Sequence, residues 1–130
     1  PAMNTTNTRT RPKHLDLTKI KLPIPGIISI MHRVSGAVLF LMLPVLLCLL
    51  QQSLQSPDTY VQFRDTFANP LVKLVLLGLL WAFLHHFCAG IRYLALDVHM
   101  GTALPAARAT SYAVLVVSLV LTVIFGVWLW

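Results

Sequence analysis

The sequence predicts an all-α membrane protein with three transmembrane helices and a cytoplasmic N-terminus. Three observations predict it. Of the 130 residues, 57% are hydrophobic and only 11% are charged, whereas a soluble domain carries about a quarter charged residues. The charges are also unevenly spread: Ala109 to Trp130 has none, and eighteen uncharged positions separate Lys73 from Arg92. Finally, five of the ten basic residues (Arg9, Arg11, Lys13, Lys19 and Lys21) fall in the first 21 positions, the pattern of a cytoplasmic flank against anionic lipid. This composition excludes a soluble domain, a disordered chain and a disulfide mini-protein. Three spans of about 20 residues each leave only short loops, so no extramembrane domain or nucleotide-binding fold fits. The net charge of +6 sits beside the first apolar stretch and points to membrane lipid, not to nucleic acid.

The expected organisation is a cytoplasmic N-terminal segment, residues 1–26, followed by a three-helix transmembrane domain, residues 27–130. In the first segment Pro23, Pro25 and Gly26 argue against regular helix, and an interfacial lead-in is expected. The first span covers about 27–51. Its core from Ala37 to Leu50 is apolar without interruption, and Pro44 inside it should kink the helix, which membranes tolerate. In the following loop, Ser56-Pro57-Asp58 reads as a helix start with proline in the first turn. Tyr60, Phe63 and Phe67 then fall on one face of a short helix lying at the membrane surface. The second span covers about 71–96 and the third about 109–130, closed by Trp128 and Trp130 as an aromatic belt.

Orientation follows from the cations. An inside N-terminus places Arg9, Arg11, Lys13, Lys19, Lys21, Arg33, Arg92 and Arg108 in the cytoplasmic half and leaves Arg64 and Lys73 outside. Cys48 and Cys88 then lie at opposite ends of the bilayer and cannot pair. Neither belongs to a C-x-x-C-H string, so covalent haem attachment is excluded.

Ionisable side chains inside a span are costly and therefore informative. Here they gather at one depth on two helices. Ser29 and Arg33 are i, i+4 on the first span, with His32 beside them and Gly36 one turn on. On the second, His86, Gly90, Tyr93 and Asp97 form one stripe, and His85 and Arg92 a second about 100° round. Counting from the span ends at 1.5 Å per residue, His32 lies roughly 7 Å deep and His86 roughly 15 Å. That suits an upright porphyrin, with a deep neutral imidazole on iron and cationic donors for propionates nearer water. A glycine one turn from a ligand leaves room for a flat ring. Blander roles stand beside these. A histidine can hydrogen-bond across a helix interface, glycines permit close packing, Arg33 and Arg92 can snorkel to lipid phosphates, and Asp97 can pair with a nearby base. The residues alone therefore indicate a helical membrane subunit with a polar cofactor or quinone site near the cytoplasm.

Two strings carry a resemblance. Arg11-Pro12, Leu15-Asp16-Leu17 and Pro23-Ile24 lead into Ser29-Ile30-Met31-His32-Arg33-Val34-Ser35-Gly36. His86-Phe87-Cys88-Ala89-Gly90-Ile91-Arg92 runs on to Asp97. Over residues 9–130 the chain resembles the cytochrome b556 subunits of succinate dehydrogenase, apart from Tyr93, where many members have histidine. The resemblance implies a bacterial inner-membrane anchor packed with a second anchor subunit around haem b, beneath an iron–sulfur subunit and a flavoprotein subunit. It implies that His86 is the axial ligand of the haem iron, that His32 and Arg33 lie near the haem propionates, and that Ser29, Arg33 and, less directly, Asp97 serve ubiquinone. It also implies that this chain, lacking flavin, cluster and dicarboxylate sites, catalyses nothing alone. Two alternatives stay open: a haem-free helical assembly or transport subunit, and the anchor of a quinol:fumarate reductase.

Overall fold

The computed structural model describes residues 13–130; Arg9 and Arg11 lie outside the described residues. Among these, four helices follow one another: α1 (Ile24–Gln55), α2 (Pro57–Ala68), α3 (Pro70–Asp97) and α4 (Leu104–Leu129). Three of them, α1, α3 and α4, are long and apolar enough to cross a membrane. Ahead of α1, hydrogen bonds from the Thr18 hydroxyl and amide hold the Asp16 carboxyl below its usual pKa.

The start of α1 corrects the sequence reading. The helix begins at Ile24 and includes Pro25 and Gly26. Pro23 stays extended as the N-cap, and its carbonyl accepts from Gly26 N at 2.9 Å and Ile27 N at 3.2 Å. Pro25 sits in the first turn, where a missing N–H costs nothing because those N–H groups have no helical partner anyway. Pro44 lies inside α1, which runs through it without a break.

Helix α2 starts as its sequence predicts. Ser56 and Thr59 form a reciprocal capping box, with Pro57 in the first turn. Its aromatic face is real: ring centroids are 6.4 Å apart for Tyr60–Phe63 and 4.2 Å for Phe63–Phe67. Asn69 ends α2 and caps α3, accepting from Leu71 N at 2.9 Å. At the far end of α3, Met100 N bonds Ala95 O and His99 N bonds Leu96 O, both at 2.9 Å. These are the two bonds of a Schellman turn. They put His99 at φ 62° and are followed by Gly101 at φ 73°. Helix α4 then begins at Leu104, five residues before the expected span, because Pro105 again occupies a first turn.

The three long helices meet in one layer near the start of α1, where Ile28, Ala89 and Val114 are buried. Lipid gives no hydrophobic drive to such packing, so small residues and internal polar bonds carry it. The α4 stripe Ser111, Val114, Ser118, Thr122 and Gly126 is buried throughout. Its hydroxyls bond carbonyls of their own helix, for example Ser111 to Ala107 at 2.7 Å and Thr122 to Ser118 at 2.7 Å. A methyl added at Gly126 would meet Leu77 Cδ1 at 2.9 Å.

Arg92 ties α3 to α4. It is buried, donating from Nε to Thr110 Oγ1 at 3.0 Å and from Nη2 to the Ala107 carbonyl at 3.3 Å. The sequence let it snorkel to lipid phosphate; it turns instead to the first turns of α4. Hydrogen bonds from a charged donor each contribute about 1.5–3 kcal/mol. Arg92→Met is therefore expected to lower the denaturation midpoint of the detergent-solubilised protein markedly, and Arg92→Lys less so. An unchanged midpoint in Arg92→Met would show that the clamp is idle.

Candidate functional site

The histidines of α1 and α3 come together where these helices face each other. The rings of His32 and His86 stack with centroids 4.1 Å apart and planes 6° from parallel. Tyr93 lies against His32 at 5.1 Å, and the Arg92 guanidinium stands 5.5 Å over the Tyr93 ring. This corrects the expected depths. With α1 starting at Ile24 and α3 ending at Asp97, His32 and His86 lie roughly 12 Å and 16 Å from those ends at 1.5 Å per residue. The stacked rings place His32 at the level of His86, where the sequence expected it several Å nearer water. Arg33, exposed, is left as the more water-facing cation.

His86 is oriented by its neighbours. Its Nδ1 lies 3.0 Å from the His32 carbonyl and 3.3 Å from Ser35 Oγ. A carbonyl only accepts, so this bond places the proton on Nδ1 and leaves the lone pair on Nε2. Among the described residues nothing hydrogen-bonds Nε2, and on this half-buried residue it is not fully buried. Phe83, one turn back, and Phe87 stand exposed beside it with rings 6.3 Å apart.

His85 differs in every respect. It is 1% exposed, and both ring nitrogens are buried without a partner. Its ring lies 5.6 Å from Trp81, whose indole N–H is also buried and unpaired. A groove of about 410 Å³ between Ile30, Val34, Ser35 and Val38 of α1 and Gly78, Trp81 and His85 of α3 runs past them.

The sequence left room for a flat ring beside the glycine one turn from the ligand; His32 Nε2 lies 3.9 Å from a Cβ built on Gly90, and the space at Gly36 is filled by the His86 imidazole. Ser29 is half-buried one turn before Arg33, and Asp97 is exposed at the end of α3. Asp97 pairs with no base among the described residues, where the one ion pair joins Lys19 to Asp16. Cys48 and Cys88 are free. Sequence reasoning missed Ser35 as a partner of His86; the His32-to-Ser35 spacing of three residues, which brings a hydroxyl back to its own helix carbonyl, was the available signal.

The model of the family described as succinate dehydrogenase/fumarate reductase transmembrane subunit matches residues 7–125. The chain belongs to that family.

As a member of the succinate dehydrogenase/fumarate reductase transmembrane subunits, it is a multi-pass protein of the bacterial inner membrane and the membrane anchor of a larger enzyme. It is similar to the succinate dehydrogenase cytochrome b556 subunit of Coxiella burnetii, with 40% identity over 121 residues, 92% of this chain and 97% of that one. The subunit of the same name from Rickettsia felis is 32% identical over 117 residues, covering 90% and 91%. The one from Paracoccus denitrificans is 30% identical over 118 residues, covering 91% of each.

Proposed function

We propose that this chain is the large anchor of a succinate:ubiquinone oxidoreductase, with the N-terminus cytoplasmic, His86 ligating the iron of haem b, and Ser29 and Arg33 binding ubiquinone. One observation carries the reading: the His86 Nδ1–H is held by the His32 carbonyl at 3.0 Å while Nε2 has no bond among the described residues. That is the arrangement of a ligating histidine, whose far N–H is fixed so that the near nitrogen keeps its lone pair. The residues present fit haem b, and the relatives named cytochrome b556 support it. Bound there, haem would supply a one-electron store that buffers the electron traffic to quinone.

The rest is the work of this chain's own side chains. His32 orients His86 through its carbonyl and borders the haem with its ring. Arg33 is exposed one residue on and offers a planar fork of donors to carboxylates. Ser29, i−4 from Arg33, donates to a quinone carbonyl, and the guanidinium stabilises the negative charge that builds on its oxygen during reduction. Asp97 provides a carboxylate at the same cytoplasmic end. The partners in this reading are a flavoprotein subunit, an iron–sulfur subunit and a second anchor that shares the haem.

A haem-free role as an assembly subunit has one observation in its favour: the two imidazoles already stack on each other. Purification of the complex from membranes separates the readings. We expect co-purifying flavoprotein and iron–sulfur subunits, haem equimolar with flavin, and a b-type reduced-minus-oxidised spectrum. A complete complex without b-type absorption would sink the haem assignment. The ratio of succinate oxidation to fumarate reduction, measured on the same sample, distinguishes the quinol:fumarate reductase alternative.

A further inference from the structure

We infer that Ser35 and Gly36 form a purpose-built seat for the His86 imidazole and so set its tautomer and aim. The inference rests on His86 being the iron ligand. Three contacts define the seat. The Ser35 hydroxyl donates to the His32 carbonyl at 2.9 Å, which turns an oxygen lone pair toward His86 Nδ1 at 3.3 Å. The same carbonyl accepts from Nδ1 at 3.0 Å. The Nδ1 proton is thus shared between two acceptors that are themselves hydrogen-bonded, on an α1 turn anchored by buried Ile28 and Ser35. The third contact is an absence of atoms: a Cβ on Gly36 would lie 2.8 Å from His86 Cε1 and 3.2 Å from Nδ1. Only glycine lets the ring lie this close to the α1 backbone.

The two residues act on different properties of the ligand. Ser35 accepts from Nδ1–H, makes the imidazole more basic and favours ferric over ferrous iron. Gly36 acts on position, since any side chain pushes the ring away from the His32 carbonyl and swings Nε2 with it. Both are positioning residues, for neither presents an atom to iron.

The test uses the intact complex with its partner subunits, and flavin content reports assembly. Gly36→Ala should weaken haem retention, read by transfer to a haem-scavenging protein, by roughly the 10–100-fold that loss of a second-shell partner costs. Gly78→Ala is the control: nothing lies within 4 Å of its added methyl, and haem retention should not change. For Ser35 the informative pair is threonine and valine, equal in shape and different in the hydroxyl. Ser35 borders the groove of about 410 Å³, which has room for the extra methyl. Ser35→Val should raise the haem midpoint potential and shift the low-spin ferric electron-resonance signal; Ser35→Thr should restore both. If Gly36→Ala holds haem as the parent does, or if valine and threonine give the same potential, the seat is rejected. A b-type spectrum surviving in His86→Ala would instead reject the ligand assignment beneath it, and Ser35 and Gly36 would lose their role with it.

Discussion

His86→Ala is expected to abolish the b-type spectrum of the assembled complex, and His85→Ala to leave it in place. The two residues are neighbours in sequence, and only their surroundings separate them. His86 has one nitrogen fixed and the other without a bond among the described residues, so it can offer Nε2 to iron while Nδ1 keeps its bond. His85 is buried between α1 and α3 with neither ring nitrogen exposed, so reaching a metal would require its ring to turn out of the interior. Loss of an axial ligand should exceed the roughly 10–100-fold that loss of a second-shell partner costs. Haem should therefore be missing from His86→Ala on purification. In His85→Ala the lost ring takes two unpaired polar atoms out of the interior, which offsets part of the cavity left behind. Haem per flavin and the reduced-minus-oxidised spectrum check both variants. A normal spectrum in His86→Ala, or its loss in His85→Ala alone, would reverse the assignment.

Arg33→Leu is expected to cut ubiquinone reduction by about 10²-fold, the scale seen when one preorganised donor is removed from a developing anion. Succinate oxidation with an artificial acceptor should persist, because that chemistry belongs to the soluble subunits. Ser29→Ala should show the same split with a smaller loss. Arg33→Lys keeps the charge but not the planar fork and should fall between parent and leucine. Arg33 is exposed and has no hydrogen bond among the described residues, so the substitution breaks nothing inside this chain. Equal loss of both activities would mark failed assembly and remove the support for a quinone role.

Much of the fold was legible because lipid imposes simple rules. The apolar runs located α1, α3 and α4, and Ser56-Pro57-Asp58 located α2. That His86, Gly90 and Tyr93 share one face follows from helical spacing alone; that this face meets α1 is shown by the contacts with His32. What stayed hidden depended on contacts between helices. Pro25, which argued against regular helix, sits in the first turn of α1 and lengthens it, as Pro105 does in α4, and the stacking of His32 on His86 stayed hidden because the rings lie on different elements. The destination of Arg92 could not be read because Thr110 and the Ala107 carbonyl lie on another element. Gly36 was seen one turn beyond His32, but sequence gives no means of knowing which ring lies against it.

Beyond Ser35, α1 has no buried residue, whereas α3 and α4 stay packed to the far end through Ser118, Thr122 and Gly126. Mechanically this is a stiff pair of struts with a third arm pinned at its base. Any bending of the arm's distal half would pivot above Ile28 and Ser35, where α1 is held. The unpinned length can adjust to a neighbouring chain during biogenesis while the geometry at the pivot is already set.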